Sequence, residues 1–328
     1  MATKRNTTNM ITPGLANNRR LGRRSGFSDR IFSNTTLVFA MVIVALLIGL
    51  VIILVKDAMP AISRFGFSFI TNSTWDPVKE IYGALPAIYG TLLSSLIGLL
   101  IAIPISLGAA IFLVELAPKW LKGPASFIIE MLAAIPSVII GLWGLFVLVP
   151  IVKNPIEIWL GSHLGSLPFF QGPPFGVGFL AAGIILAIMI IPIITAVSRD
   201  AMRAVPNEQR EAMFALGATR WEMIRQSVLP YCRSGIIGAI ILGLGRALGE
   251  TMAVTMVIGN SYKLTASLFS PGSTIASTIA SQFGEAATGV SVGSLVELAL
   301  ILFGVTLLVN VIARALVWRM TSVKVAKE

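Results

Sequence analysis

The chain has 328 residues, of which 55% are hydrophobic and only 12% are charged. Soluble globular domains carry about 25% charged residues, so this composition excludes an ordinary soluble domain and places the chain in a membrane. The chain has one cysteine, Cys232, so an intramolecular disulfide is excluded. It also has only one histidine, His163. The same scarcity disfavours a His/Cys metal site and a Cys–His nucleophile pair.

Residues 1–33 form a polar, basic N-terminal tail rich in Asn, Thr, Gly and Arg, for which we expect loose order or disorder. A signal peptide is the alternative, but the basic region and the apolar run after it are both too long for one. This apolar run, Leu37–Val55, has about the length that crosses a ~30 Å hydrocarbon core. Residues 34–85 are therefore predicted to form a first transmembrane helix and an external loop.

Residues 86–318 are predicted to form the transmembrane core, followed by a C-terminal tail over residues 319–328. The core contains five apolar runs, which are Pro86–Val114, Ala125–Val152, Val177–Val197, Ile236–Ile258 and Val292–Trp318. The connecting segments are a short charged loop over 115–123, a Pro- and Gly-rich loop over 153–176, a charged segment over 199–233 and a polar segment over 259–291. In the last of these, a short helix is expected to start near Ser273 or Thr274. We therefore predict an all-α polytopic membrane protein with six transmembrane helices. Pro104, Pro136 and Pro192 are expected to kink three of them.

The distribution of basic residues predicts the orientation. If the N-terminus lies in the cytoplasm and the chain crosses six times, 19 of the 25 Lys and Arg residues lie on the cytoplasmic side and five on the external side. This asymmetry is the positive-inside signal, so both termini and the charged segment over 199–233 are predicted to be cytoplasmic. Nucleic-acid binding by the basic tail is an alternative that topology makes unnecessary, and contact with anionic lipid head groups is a simpler additional role.

The charged segment contains Asn207–Pro230, which we call the docking segment. Its apolar residues recur at helical intervals, namely at Met213, Leu216, Met223 and Ile224. Gly217 lies midway, where one helix can end and another begin, and Pro230 precedes the next apolar run. We predict a short helix, a turn at Gly217 and a second short helix closed by Pro230. An element with this many charged residues cannot be buried in lipid. Its predicted role is therefore to dock against a soluble partner.

Two charged residues lie within the predicted fifth span. Arg246 is about ten residues from its cytoplasmic end, roughly 15 Å at 1.5 Å per residue and near the bilayer centre. A charge there costs about 2.5–3.5 kcal/mol on insertion scales. Glu250 lies one turn further on the same helix face. The pair is either a self-contained structural ion pair, or Arg246 lines a water-filled path for an anionic substrate; the second is our working hypothesis.

Small residues and two further carboxylates complete the membrane pattern. Gly245 and Gly249 are four residues apart, which favours close packing of another helix against the fifth span. Glu130 and Glu297 lie near the ends of the predicted third and sixth spans. Because both lie close enough to an interface for hydration, we expect structural roles for them.

Sequence motifs for catalysis are absent. The chain contains no GxxxxGK[ST] phosphate-binding loop, no G-x-S-x-G elbow and no H-E-x-x-H pair. We therefore predict that it is not an enzyme and holds neither a metal nor a cofactor. Active transport would then take its energy from a partner or from an ion gradient.

The docking segment resembles the cytoplasmic motif of ABC importer permeases, E-A-A, three residues, G, nine residues, I, one residue, L-P. Five positions match, namely Glu211, Ala212, Gly217, Leu229 and Pro230. Met213 stands where the motif has Ala, and Ser227 stands at its Ile position. The resemblance implies the type I ABC importer permease fold. It also implies that this segment docks into a cleft of an ATPase subunit, which binds the ATP and Mg.

Three stretches resemble the phosphate branch of this family, the PstC-type permeases. They are Gly243–Asn260, Ile81–Leu92 and Ala134–Pro150. The resemblance covers roughly Leu37 to the C-terminus. It implies a heterodimer with a sister permease, an ATPase dimer, an external phosphate-binding protein and phosphate as the substrate, in a bacterial inner membrane. The alternatives are a permease for sulfate or molybdate, a secondary anion transporter, and a membrane sensor that does not transport.

Overall fold

The computed structural model describes the backbone of residues 25–322 and the side chains of residues 29–315. Most of the tail predicted over 1–33, and the end of the tail predicted over 319–328, lie outside the described residues. Within them the regular secondary structure is helical apart from one isolated β-bridge between Asp76 and Ile81. The chain divides into two compact units, residues 1–53 and residues 54–328.

The described part of the first unit is the beginning of one long helix, α1, which spans Ser25–Phe65 and so ends in the second unit. Its large apolar side chains between Ile31 and Ile53 are almost all exposed. A helix with an apolar surface on every side is suited to lipid. The helix is longer than the predicted span Leu37–Val55 because nothing interrupts it before Gly66, whose φ of +53° turns the chain.

The second unit contains thirteen further α-helices within the described residues. They are α2 (Ser68–Thr71), α3 (Leu85–Ile111), α4 (Lys119–Ala133), α5 (Ser137–Trp143), α6 (Val149–Ile151), α7 (Ile158–Leu164), α8 (Phe179–Arg203), α9 (Asn207–Ala215), α10 (Arg220–Met223), α11 (Leu229–Leu248), α12 (Met252–Val257), α13 (Ile275–Gln282) and α14 (Gly289–Ser322). Wider π-helical turns extend α3 over Phe112–Leu116, join α5 to α6, and join α10 to α11 over Ile224–Val228. The segment Val152–Glu157 between α6 and α7 is kinked at Asn154.

These joined helices leave six that are long and apolar enough to cross a membrane among the described residues. They are Asp29–Phe65, Leu85–Leu116, Ser137–Leu164, Phe179–Arg203, Arg220–Leu248 and Gly289–Ala315. The predicted all-α membrane protein with six spans is confirmed. The short helix expected near Thr274 is also present, since Thr274 caps α13 by accepting a hydrogen bond from the Ser277 amide.

The predicted third span, Ala125–Val152, is wrong. Helix α4 ends at Ala133, and the membrane-length segment begins only at Ser137; it is kinked at Asn154, whose φ of −131° and ψ of 106° are not helical, before a second helical part that ends at Leu164. The predicted loop over 153–176 therefore begins at this kink, but it contains the helical part that ends at Leu164. The cause is Pro136: a proline disfavours helical geometry in the residue before it, so the apolar run breaks there although both sides of the break are apolar. The predicted kink of a continuous helix at Pro136 is a complete break.

The loop predicted over 115–123 is also much shorter than expected. The π-helical turn that extends α3 includes Glu115, and α4 starts at Lys119, so only Ala117 and Pro118 connect the two helices. Charged residues do not prevent a helix at a membrane surface, where their side chains are solvated. Charge is therefore a poor guide to where these helices end.

Close contact between α3 and α8 forms the centre of the second unit. A Cβ atom added at Gly183 of α8 would lie 2.3 Å from Cγ2 of Ile97, and one added at Gly98 of α3 would lie 3.0 Å from Cβ of Leu186. Two hydroxyl contacts cross the same interface, the shorter from Ser106 Oγ to the Ile191 carbonyl at 3.2 Å. The two glycines let the backbones approach closely, which makes α8 the most buried of the six spans.

Replacing Gly183 with alanine is expected to destabilise the protein by about 1–3 kcal/mol, because the new methyl group overlaps the branched side chain of Ile97. The thermal unfolding midpoint of the purified protein in detergent measures this. Gly108→Ala is the matched control, since Gly108 lies in the packing partner α3 and has nothing within 4 Å of an added Cβ. Equal midpoints for the two variants would contradict the close packing.

Candidate functional site

The docking segment folds as a helix, a tight turn and a second helix. Helix α9 ends at Ala215, and Gly217 adopts a φ of +79°. Thr219 then starts α10 with a capping box: its hydroxyl accepts from the Glu222 amide at 3.3 Å, and the Glu222 carboxylate accepts from the Thr219 amide at 2.7 Å. The helix, the glycine turn and the second helix are therefore present as predicted.

The requirement for glycine at position 217 comes from the backbone and not from space. An added Cβ at Gly217 would have no atom within 4 Å, but a positive φ is unfavourable for any residue with a side chain. The exposed turn is thus held in one shape by its own geometry. This keeps α9 and α10 at a defined angle on the protein surface.

The second helix does not end at Pro230, contrary to the prediction. A π-helical turn over Ile224–Val228 joins α10 to α11, so that one helix runs from Arg220 to Leu248. Pro230 lies in the first turn of α11. The wider π turn before it accommodates a residue that lacks an N–H, so the proline does not stop the helix. The docking segment is therefore continuous with the fifth span.

Arg210, which the sequence analysis did not select, fixes α9 to the rest of the fold. Its Nη2 atom is 2.9 Å from Oε1 of Glu115, and both side chains are largely buried. The same guanidinium donates to the carbonyl oxygens of Met202 and Val205 at the end of α8. One side chain thus ties α9 to α3 and to α8. Only its position one residue before the matched Glu211 could have drawn attention to it.

The remaining surface of the docking segment is open. Glu211 and Ala212 of the motif are exposed, while Leu229 and Pro230 lie apart from them at the start of α11. Three large apolar side chains near the turn are also exposed, namely Phe214, Leu216 and Trp221. An exposed apolar group with an adjacent carboxylate is suited to contact with another protein.

The predicted charge pair is present at the other end of the same long helix. Nη2 of Arg246 lies 3.4 Å from Oε2 of Glu250; the Glu250 side chain is 4% exposed and the Arg246 side chain 48%. The other Glu250 oxygen accepts from the Ala253 amide at 3.4 Å. The carboxylate is therefore enclosed and the guanidinium remains accessible.

The predicted fifth span, Ile236–Ile258, is interrupted just beyond this pair. Helix α11 ends at Leu248, and the short helix α12 starts only at Met252. Gly249 and Thr251 take backbone angles outside a regular helix. Arg246 thus lies in the last turn of α11 and Glu250 lies in the break that follows. The sequence had suggested that the two residues lie one turn apart on an unbroken helix.

Arg246 faces an open cleft of about 760 Å³ between α8, α11 and α14. The cleft is mainly apolar, and its polar lining consists of Arg246, Asn310 and Arg314. Sequence reasoning used Arg314 only to assign topology. The helical spacing of Leu307, Asn310 and Arg314 could have indicated a common face. A low-dielectric cleft with accessible guanidinium groups is suited to an anion.

The predicted packing at Gly245 and Gly249 is not made within the described chain. An added Cβ at Gly245 would meet nothing within 4 Å, and one at Gly249 would meet only the Gly245 carbonyl of its own helix. The close approach is made by Gly243 instead, where an added Cβ would lie 2.8 Å from the Ile194 side chain of α8. Gly245 lines the cleft, so close packing of another helix against it stays a prediction.

The two other carboxylates differ from each other. Glu130 lies on α4 and accepts from Nη2 of Arg199 at 3.0 Å, which joins α4 to the end of α8. Glu297 is 7% exposed, so the expectation that it is hydrated at the end of its span is wrong. Position along a span does not determine exposure, because neighbouring helices enclose Glu297 here.

Removing the Arg210 side chain is expected to destabilise the protein by about 3–5 kcal/mol, because Glu115 would keep a largely buried and unpaired charge. Thermal unfolding of Arg210→Ala measures the loss, and hydrogen exchange is expected to quicken in α9. The control is Arg225→Ala, where an exposed arginine is removed from the same segment, with a change within about 0.5 kcal/mol. An unchanged midpoint for Arg210→Ala would refute the anchoring role.

Comparison with known proteins identifies the family. The family described as "Binding-protein-dependent transport system inner membrane component" matches residues 102–322. The phosphate transport system permease protein PstC of Haemophilus influenzae is 51% identical over 300 residues, covering 90% of this chain and 95% of that protein. The PstC protein of Mesorhizobium japonicum is 46% identical over 301 residues, covering 90% of this chain and 92% of that protein.

Solved structures share the fold at low sequence identity. A bacterial alginate ABC transporter in complex with an alginate pentasaccharide-bound periplasmic protein gives a TM-score of 0.57 at 18% identity, covering 89% of this chain and 97% of that chain. The inward-facing MetNI methionine ABC transporter gives 0.51 at 18% identity, covering 74% and 99%. The predicted ABC importer permease fold is confirmed. The chain therefore belongs to the family of binding-protein-dependent transport system inner membrane components, and within it to the PstC permeases.

Proposed function

We propose that this chain is one of the two membrane subunits of an ATP-driven phosphate importer. One observation carries the proposal: a single helix connects the exposed docking segment to Arg246 in the cleft. The 46–51% identity to proteins named phosphate transport system permeases supports phosphate as the substrate. The break after Leu248 and the enclosed Glu250 hold Arg246 accessible, as binding of an anion requires.

The importer is expected to need three kinds of protein besides this chain, together with membrane lipid. A sister permease of the PstA type would face this chain and complete the translocation path. Two PstB-type ATPases would bind ATP and Mg, so this chain would carry no cofactor and perform no catalysis. A PstS-type protein would deliver phosphate on the external side. Nucleic acid has no role in this assembly.

The orientation proposed from the basic residues places the docking segment and both termini in the cytoplasm. The two ATPases would then close on ATP and move the segment that contains Glu211, Ala212 and Gly217. Leu229 and Pro230 lie in the helix that would carry this motion. From Arg220 to Leu248 that helix is about 43 Å long at 1.5 Å per residue, enough to reach the path from the membrane surface. Arg210 would keep α9 from moving independently of α3 and α8.

Arg246 would attract phosphate into a region where apolar helices exclude water. A guanidinium binds a phosphate through two parallel hydrogen bonds, and a low dielectric strengthens the attraction. Glu250 would orient Arg246 and neutralise it while no anion is bound. Because the two charges are 3.4 Å apart, an arriving phosphate competes with Glu250 for the guanidinium, and binding stays weak enough to permit release.

Radiolabelled phosphate uptake into proteoliposomes that contain the full complex, with ATP inside and binding protein outside, tests this proposal. Uptake is expected to require ATP and to resist competition by sulfate and molybdate. Arg246→Gln is expected to lower the rate about tenfold or more, from lost charge-assisted hydrogen bonds, while Arg246→Lys retains part of it. Gly217→Glu is expected to abolish both uptake and stimulated ATPase activity, because the new residue strains the turn and blocks docking.

Other results would contradict specific parts of the proposal. Equal inhibition by all three oxyanions would indicate a different oxyanion importer. Uptake without ATP would indicate a secondary transporter. Full activity of Arg246→Gln would leave the arginine with a structural role only, and the translocation path would have to lie elsewhere.

A further inference from the structure

The cleft that Arg246 faces contains a second arginine, on a different helix. Helix α14 lines the cleft with Leu307, Asn310, Val311 and Arg314. Leu307, the neighbours Asn310 and Val311, and Arg314 follow one another at steps of three or four positions, so they form one continuous face of α14. Asn310 and Arg314 are one turn apart on that face. The amide and the guanidinium can therefore approach the same small ligand.

The two arginines lie towards opposite ends of the cleft. Helix α11 lines it from Gly238 to Arg246, and α14 lines it from Leu307 to Arg314. Consecutive spans cross a membrane in opposite directions, so Arg246 lies near the Leu307 end of α14 and Arg314 near the Gly238 end of α11. Eight residues of helix rise about 12 Å, which gives the approximate separation of the two positions along the cleft.

The charge of the cleft is concentrated at the Arg314 end. Arg246 is paired with Glu250, whereas no carboxylate among the residues described lies within 4 Å of the Arg314 guanidinium. Arg314 is exposed to the cleft and Asn310 is half-buried. Together they offer guanidinium and amide donors without a competing acceptor charge. This is the donor set that binds the oxygens of a tetrahedral oxyanion.

We propose that Asn310 and Arg314 form a second oxyanion-binding site, which phosphate occupies after it leaves Arg246 and before it is released. The proposal rests on the proposed function and adds a step to it. In the proposed orientation the end of α14 near Arg314 faces the cytoplasm, so this is an exit site. Transfer from a neutralised arginine to an unpaired one about 12 Å away gives the anion a favourable direction of movement.

An arginine near the end of a transmembrane helix also has a simpler role, as an anchor at the membrane surface. The two roles make different demands. An anchor needs only a positive charge, so lysine replaces arginine fully and Asn310 has no part in it. A binding site needs the planar guanidinium for two hydrogen bonds and also the Asn310 amide.

The test compares variants of the full complex in proteoliposomes at saturating, phosphate-loaded binding protein, with inorganic phosphate uptake and ATP hydrolysis measured together. Arg314→Gln is expected to lower uptake about tenfold, and Arg314→Lys and Asn310→Leu about threefold, because charge-assisted hydrogen bonds are lost. ATP hydrolysis is expected to remain stimulated, so fewer phosphates enter per ATP. The matched control is Lys119→Gln, which removes an exposed positive charge from α4 outside the cleft and is expected to leave uptake unchanged.

Three results would overturn the exit site. Wild-type uptake in Arg314→Gln would exclude any contact with phosphate. Wild-type uptake in both Arg314→Lys and Asn310→Leu would reduce Arg314 to a membrane anchor. A parallel fall in uptake and ATP hydrolysis would indicate a role in coupling or assembly. Failure of the proposed function would give a different result, because the wild-type complex itself would import no phosphate with ATP.

Discussion

The ion pair between Arg246 and Glu250 is the interaction on which the proposed translocation path depends. A single charge within an apolar span costs about 2.5–3.5 kcal/mol, so Arg246 is tolerable only with a partner close by. The enclosed Glu250 carboxylate is that partner, held by the Ala253 amide beyond the break that follows α11. The break therefore places a carboxylate beside the arginine and leaves the guanidinium accessible. An unbroken helix would put both side chains on one surface with the same exposure.

One continuous helix connects the docking segment, where the proposed ATPase would act, to the cleft that Arg246 faces. The capping box at Thr219, the π-helical turn and α11 form one helix between the cytoplasmic surface, as we orient it, and the cleft. The close packing of α3 on α8 provides a rigid element against which that helix can move. Arg210 joins this rigid element to α9 through Glu115. The docking segment thus has a fixed side and a side that leads directly to the proposed path.

The sequence was a good guide wherever one local signal dominates. Apolar runs of membrane length located four of the six spans closely, whereas the fifth was predicted to continue to Ile258 and its long helix ends at Leu248. Gly217 marked a turn because only a residue without a side chain takes its positive φ easily. The third span was misplaced because two apolar helices separated by Pro136 read as one run. The second helix of the docking segment was predicted to end at Pro230 but continues, because a π-helical turn accommodates a proline that normally ends a helix.

What the sequence determined by itself is the membrane class, the six spans, the docking segment and the pairing of Arg246 with Glu250, because composition, length and spacing along one chain carry these properties. Only the tertiary structure decided which residues share a cleft. Arg246 and Arg314 are far apart in the chain and meet the same space because α11 and α14 pack side by side. The burial of Glu297 and the anchoring of Arg210 by Glu115 have the same origin. Contacts between distant segments depend on how helices pack in three dimensions, and no local pattern records that.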